Sequence, residues 1–222
     1  MAEKEILTSE QKKVLELFSK EKYLIKRFYF TGGTPLSYFY LGHRLSEDLD
    51  FFSEKEEVDL PSIERFIGKI KQKLKLLKID YRNFLGLHTF YLFFSKNKYL
   101  KVDFNYYPFP RIEKGIKFKN LEIESIYDIG VDKVHTVVLK PRARDFIDIY
   151  FIIKEKGYDF KELLMQAKAK FDWDISLIEL GARFLEASKL TDYPRMLKKI
   201  DHKEWKDFFL NEAKKLEKEV FR

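Results

Sequence analysis

The sequence predicts an α+β fold: a mixed β-sheet with flanking helices, followed by a helical region. Three observations carry this. Segments with a two-residue period, such as "YLKVDFNYYP", alternate with helical ones up to about residue 120. After Pro110 the apolar spacing becomes helical. Hydrophobic residues make up 45% of the 222, enough for a sizeable core. The predicted organisation is a sheet core over residues 1–120 and a helical region over residues 121–222.

"SEQKKVLELFSKEKY" starts on a Ser cap and carries Val14, Leu15 and Phe18 at helical spacing. "RFYFTGG" reads as a short strand ending in a glycine turn. "TPLSYFYLGHRL" follows as a helix with Thr34 at the N-cap and Pro35 at the first helical position. "DLDFFS" is a second strand. "PSIERFIGKIKQKLKLL" is a helix with one apolar stripe running from Ile63 to Leu77. Three strands follow, "KIDYRNFLG", "HTFYLFFSK" and "YLKVDFNYYP", the last two forming a hairpin around Asn97-Lys98. In the third, Val102, Phe104 and Tyr106 share one face and Lys101, Asp103 and Asn105 the other. The helical region contains "SIYDIGVDKVHTVVL", "RARDFIDIYFIIKEKG" and patterns near 160–171, 174–188 and 194–221.

The totals exclude several classes. With no cysteine there is no disulfide framework or thiolate metal site, and the four histidines lack zinc-ligand spacing. There is no apolar leader or membrane-length run, which predicts a cytoplasmic protein with no membrane partner. The net charge of +7 suits polyanionic partners such as nucleic acid or nucleotide phosphates, although many charges alternate along solvated helices. The 22 Phe and 13 Tyr supply an aromatic core first and base-stacking surface second.

The chemistry concentrates in "TGGTPLSYFYLGHRLSEDLD". Carboxylates at i and i+2 on a strand point to one face, so Asp48 and Asp50 stand side by side. Adjacent carboxylates repel unless a proton or cation lies between them, and a hard divalent ion such as Mg²⁺ resolves the conflict. A third carboxylate from a neighbouring strand completes a two-metal site, with Asp103 the first candidate and Asp80 the second. Gly32 and Gly33 let backbone amides approach an anion ahead of a helix N-terminus. Neither a Walker A loop nor a dinucleotide fingerprint is present.

At this point "GGTPLSYFYLGHRLSEDLDFF" resembles the signature of the AbiEii/AbiGii toxin family, a branch of the nucleotidyltransferase superfamily related to DNA polymerase β. "VDKVHTVVLKPRARDFIDIYFI" resembles a later family motif through Asp132, Lys133, Arg144, Asp145 and Asp148. The likeness covers most of residues 25–155. It implies a nucleotidyltransferase fold whose helical region completes the active-site cleft, an NTP donor, and two Mg²⁺ ions, with Mn²⁺ as a substitute. It implies Asp48, Asp50 and Asp103 as metal ligands and, with Lys133, as the catalytic set. Gly32, Gly33 and Thr34 become the phosphate turn, and Lys133 a phosphate-binding residue. Arg44, Ser46, Arg144, Asp145 and Asp148 are the further substrate-binding candidates. Pro141 departs from the family pattern and breaks the helix between the two halves of the later motif.

Roles in the second motif stay open on the residues alone. Arg144 and Asp148 share a helix face and can pair; Asp145 or Asp148 can instead orient Lys133; Arg44 can pair with Glu47 or Asp145. His43 reads as a structural residue rather than a base. The resemblance implies the toxin of a toxin–antitoxin pair, with RNA (a tRNA 3′ end among the options) as acceptor and a DNA-binding antitoxin as partner. The alternatives are a protein or small-molecule acceptor, or a non-catalytic nucleotide- or RNA-binding module.

Overall fold

The structure is a computed structural model and describes residues 6–220. The chain forms two compact units. One runs to Tyr40 and resumes over Ser46–Ser125; the other takes Leu41–Leu45 and then everything from Ile126.

The first unit opens with α1 (Ser9–Phe18). Its N-cap is Thr8 rather than the expected serine, because Thr8 and Gln11 form a reciprocal capping box. A five-stranded sheet follows, with strands β1 (Tyr29–Thr31), β2 (Leu49–Ser53), β3 (Lys78–Phe84), β4 (Leu87–Ser95) and β5 (Lys98–Tyr106). Their order is β1-β2-β5-β4-β3, with β2 and β5 parallel and the other neighbours antiparallel. The β4–β5 hairpin forms as predicted, but Ser95 pairs with Lys98, so Lys96 and Asn97 make the turn.

Between β1 and β2 lies α2 (Gly33–Pro35), continuing as a π-helical segment, Leu36–Leu41. The N-cap is Gly32, not Thr34. α3 (Leu60–Leu74) buries Ile63, Phe66, Ile67 and Ile70 but ends before Leu77, which is exposed. A two-stranded ribbon, β6 (Lys117–Phe118) and β7 (Leu121–Glu122), closes the unit. Much of the aromatic content is core: Phe18 stacks on Phe51 at 4.0 Å and Phe51 on Phe104 at 5.4 Å.

The second unit holds α4 (Ile126–Leu139), α5 (Ala143–Lys156), α6 (Phe160–Lys170), α7 (Leu177–Glu186) and α8 (His202–Val220). The last helix starts later than its pattern suggested, because residues near 195–197 are extended and pair with the early segment: Arg44 bridges Met196 and Leu197 N–H donates to the His43 carbonyl. Pro141 lies in the break between α4 and α5, as predicted. Phe146, Phe184, Trp205 and Phe209 are fully buried and form this unit's core with α4 packed on α5 and α6.

Candidate active site

The strand pattern places the acidic residues. Val102 and Phe104 are buried in the core, so Lys101, Asp103 and Asn105 occupy the opposite face of β5. Asp50 pairs in register with Asp103 across the parallel strands, and Thr31 pairs with Asp50. Thr89 pairs with Asp103, and Arg82 with Thr89. Thr31, Asp50, Asp103, Thr89 and Arg82 therefore form one row across all five strands. Asp48, just before β2, lies beside Lys101.

Asp103 is nearly buried and held by two donors, the Thr89 hydroxyl at 2.7 Å and the Lys101 ammonium at 2.5 Å. Lys101 Nζ also lies 3.4 Å from Asp48 Oδ2. Burial works against the charge on Lys101, but the Asp103 hydrogen bond and the charges of Asp103, Asp48 and Asp50 outweigh it and raise its pKa. The cluster thus carries the cation that electrostatics demands of three neighbouring carboxylates. The donor chemistry fits a hard divalent ion. Among the described residues, no three His, Asp or Glu side chains converge as metal ligands do. Asp80 is not part of the cluster: it sits on edge strand β3 and pairs with Lys78 at 2.6 Å.

The glycine turn adjoins this cluster. Gly32 has φ +86°, and a Cβ there would lie 2.6 Å from Asp50 Oδ2, so only glycine allows the approach. Gly33 begins α2, and the Thr34 hydroxyl donates to the Asp48 carbonyl, tying the turn to the start of β2. Thr31 donates to the buried carboxylate of Glu124. Ser46 is half-buried; its carbonyl, with that of Glu47, accepts from Gln11 Nε2 at 2.9 and 3.2 Å.

The other predicted residues gather in the helical unit as a buried ion network. Asp148 accepts from Arg44 Nε at 2.6 Å and Nη2 at 2.7 Å, from His43 Nε2 at 2.7 Å, and pairs with Lys133 Nζ at 2.7 Å. Lys133 also donates to Asp145 at 2.7 Å, and Arg142 closes the chain on Asp145 Oδ2 at 2.7 Å. Burial alone would raise the Asp148 carboxyl. The Arg44 and Lys133 charges and the Arg44 and His43 hydrogen bonds overcome it and hold it well below the usual carboxylate range. For Lys133, burial opposes the charge, but Asp145 and Asp148 prevail and raise its pKa. Burial lowers the His43 pKa despite Asp148, whose carboxylate lies 2.7 Å from Nε2. Arg144 stays outside: Asp148 is taken by Arg44, His43 and Lys133 instead. Asp132 joins a second buried pairing, with Lys170 Nζ 2.7 Å from Asp132 and 3.3 Å from Asp128.

Sequence reasoning gave no role to Lys101, Thr89, Gln11 or Glu124. The alternation of β4 and β5 contained the signal for the first two. Gln11's contacts with Ser46 and Glu47, and Glu124's with Thr31, had none, because they are long-range.

Residues 17–212 match the family described as nucleotidyl transferase AbiEii toxin, type IV toxin–antitoxin system. The chain belongs to this family. Within the sequence world of this AbiEii nucleotidyltransferase, an uncharacterized protein of Aquifex aeolicus (strain VF5), aq_aa25, is 30% identical over 172 residues, 73% of this chain and 75% of the relative. The fold is similar to that of a candidate nucleotidyltransferase from H. pylori, with a TM-score of 0.55 and 19% identity over 96% of this chain and 97% of that one. It is also similar to JHP933 from Helicobacter pylori, with a TM-score of 0.52 and 20% identity over 95% of this chain and 93% of that one. No described helix is long and apolar enough to cross a membrane.

Proposed function

We propose that this AbiEii nucleotidyltransferase transfers a nucleoside monophosphate from an NTP to a hydroxyl of an RNA acceptor, as the toxin of a toxin–antitoxin pair. A tRNA 3′ end is the first acceptor to test, and the partner is a DNA-binding antitoxin. The observation that carries the chemistry is the register of Asp50 against Asp103, with Asp48 and the Gly32 turn beside them.

Asp48, Asp50 and Asp103 would hold divalent metal, Mg²⁺ first, in place of the Lys101 ammonium. When bound, such ions supply positive charge for the phosphates and for the attacking and leaving oxygens. The backbone of Gly32, Gly33 and Thr34 orients the triphosphate. The acceptor oxygen bonds to the α-phosphorus as the bond from that phosphorus to the α,β-bridging oxygen breaks. Pyrophosphate leaves, and the hydroxyl proton passes to Asp103, which Thr89 holds in position. Lys133 acting on a phosphate, the role its motif implies, belongs to the same proposal. In its resting state its ammonium is neutralised by Asp145 and Asp148.

The test is incubation of the purified protein with total RNA and each α-³²P-NTP, with and without Mg²⁺. Metal-dependent label in RNA is expected. Label in protein alone would replace the acceptor, and unchanged labelling by Asp48→Ala would sink the chemistry.

A further inference from the structure

The sheet face that carries the carboxylates continues past them. Two residues back along β5 from Asp103 is Lys101, whose register partner on β4 is Tyr91. Two further back is Tyr99, opposite Phe93. The edge strand adds Arg82 and Lys78 to the same face, by their pairing with Thr89 and Phe93. Tyr91 meets Tyr99 at 5.6 Å and Phe93 meets Tyr99 at 5.5 Å. The Arg82 guanidinium lies over Tyr91 at 5.0 Å, and Lys78 Nζ over Phe93 at 5.7 Å. Tyr99 is 57% exposed, Arg82 and Lys78 are exposed, and Tyr91 and Phe93 are half-buried. Asp80, the acid in the strip, is paired with Lys78.

Cross-strand ring contacts strengthen a sheet on either face. This strip differs in being solvent-exposed, interleaved with cations and continuous with the carboxylate cluster. Aromatic rings on an open sheet stack unpaired bases, and neighbouring cations meet the phosphates between them. Four residues of β5 span roughly 13 Å from Tyr99 to Asp103, a distance of a few nucleotides.

We infer that Tyr91, Phe93 and Tyr99, with Arg82 and Lys78, form a docking strip for the single-stranded 3′ end of an RNA acceptor, delivering its terminal hydroxyl to Asp103. The inference rests on the transferase reading and adds a binding surface to it. Each stacked base contributes about 1–3 kcal/mol to such surfaces, or roughly 5- to 150-fold in affinity.

Fluorescence anisotropy of the full-length protein with a fluorescein-labelled 12-nucleotide single-stranded RNA tests it. Tyr99→Ala is expected to weaken binding about five-fold or more, Tyr99→Phe to restore it, and Arg82→Gln to weaken it and flatten its salt dependence. Thermal melting should leave Tyr99→Ala near wild type, because the ring is mostly exposed. A wild-type protein that does not bind the oligonucleotide, or a Tyr99→Ala protein that binds it equally well, overturns the strip. So does a Tyr99→Ala protein that raises only the KM for NTP, since the rings would then serve the donor base. Asp48→Ala separates the two readings: it should bind the RNA and transfer nothing. If it still transfers, Asp48 loses its role; if the wild-type protein binds the RNA and transfers no label, the transferase reading fails while the binding result stands.

Discussion

The strand unit and the helical unit each gather acidic and basic side chains, and they do so in opposite ways. The strand unit sets Asp48, Asp50 and Asp103 around a single lysine; Lys101 and Asp48 keep about a quarter to a third of their side-chain surface open to solvent. The helical unit sets Asp145 and Asp148 among Arg44, Lys133, Arg142 and His43, with Asp148 wholly buried. The first sets three carboxylates against one part-exposed ammonium. In the second, three basic side chains hold two carboxylates in short, fixed contacts, and exchange would strand a buried charge. The lesson is that similar acidic motifs in one sequence, D-x-D and D-x-x-D, become a part-exposed cluster or a buried ion network according to how many fixed cations the fold brings to them.

Substitution should separate the two. Asp50→Ala is expected to lower kcat on the order of 10³-fold, by removing a group that positions charge at the reacting phosphate, while thermal melting changes little. Steady-state kinetics beside calorimetry checks both halves. Asp148→Ala should do the reverse first: a loss of about 3–5 kcal/mol, because Arg44 and Lys133 lose a buried counter-charge. In a chain of this size that is about 6–20 °C in Tm. An Asp148→Ala protein with wild-type Tm would erase the distinction.

Gly32→Ala probes the joint between turn and carboxylates. The positive φ and the contact with Asp50 should cost about 1–2 kcal/mol of stability. A loss of kcat/KM larger than that strain explains would show that the turn's approach to Asp50 matters for chemistry. Acid offers a comparison without mutation. The Asp148 pKa is depressed in the folded state, so its contribution is full above the unfolded value of about 3.9 and drains as pH falls through the folded value. Melts from pH 6 downward should therefore drop below about pH 4, and Asp148→Asn should start lower and fall less. The smallest expected effect is Thr8→Ala, which removes the α1 capping box for about 1 kcal/mol and leaves kcat unchanged, as urea unfolding and kinetics together would show.

Much of the strand unit was legible because its information is local. Alternation along β5 assigned Asp103 to the face opposite Val102 and Phe104, and two-residue spacing did the same for Asp48 and Asp50. The turn was readable because adjacent glycines ahead of a helix have few other uses. Cap assignments slipped by a residue or two, at Thr8 and Gly32, where neighbouring positions compete and a side-chain partner decides. The Arg144–Asp148 pair failed for a different reason. Helical spacing permits that pair, but it is worth only tenths of a kcal/mol, and a bidentate buried arginine from residue 44 outcompetes it.

By itself, the sequence determined the fold class, the strand face that carries Asp103 and the position of the glycine turn, since each follows from residue spacing or residue type within a single segment. Tertiary structure alone decided which strands are neighbours, that Lys101 is the cation among the carboxylates, and that His43 and Arg44 lock onto Asp148 more than 100 residues away. Those contacts depend on chain-distant segments meeting, and no local pattern encodes the partner.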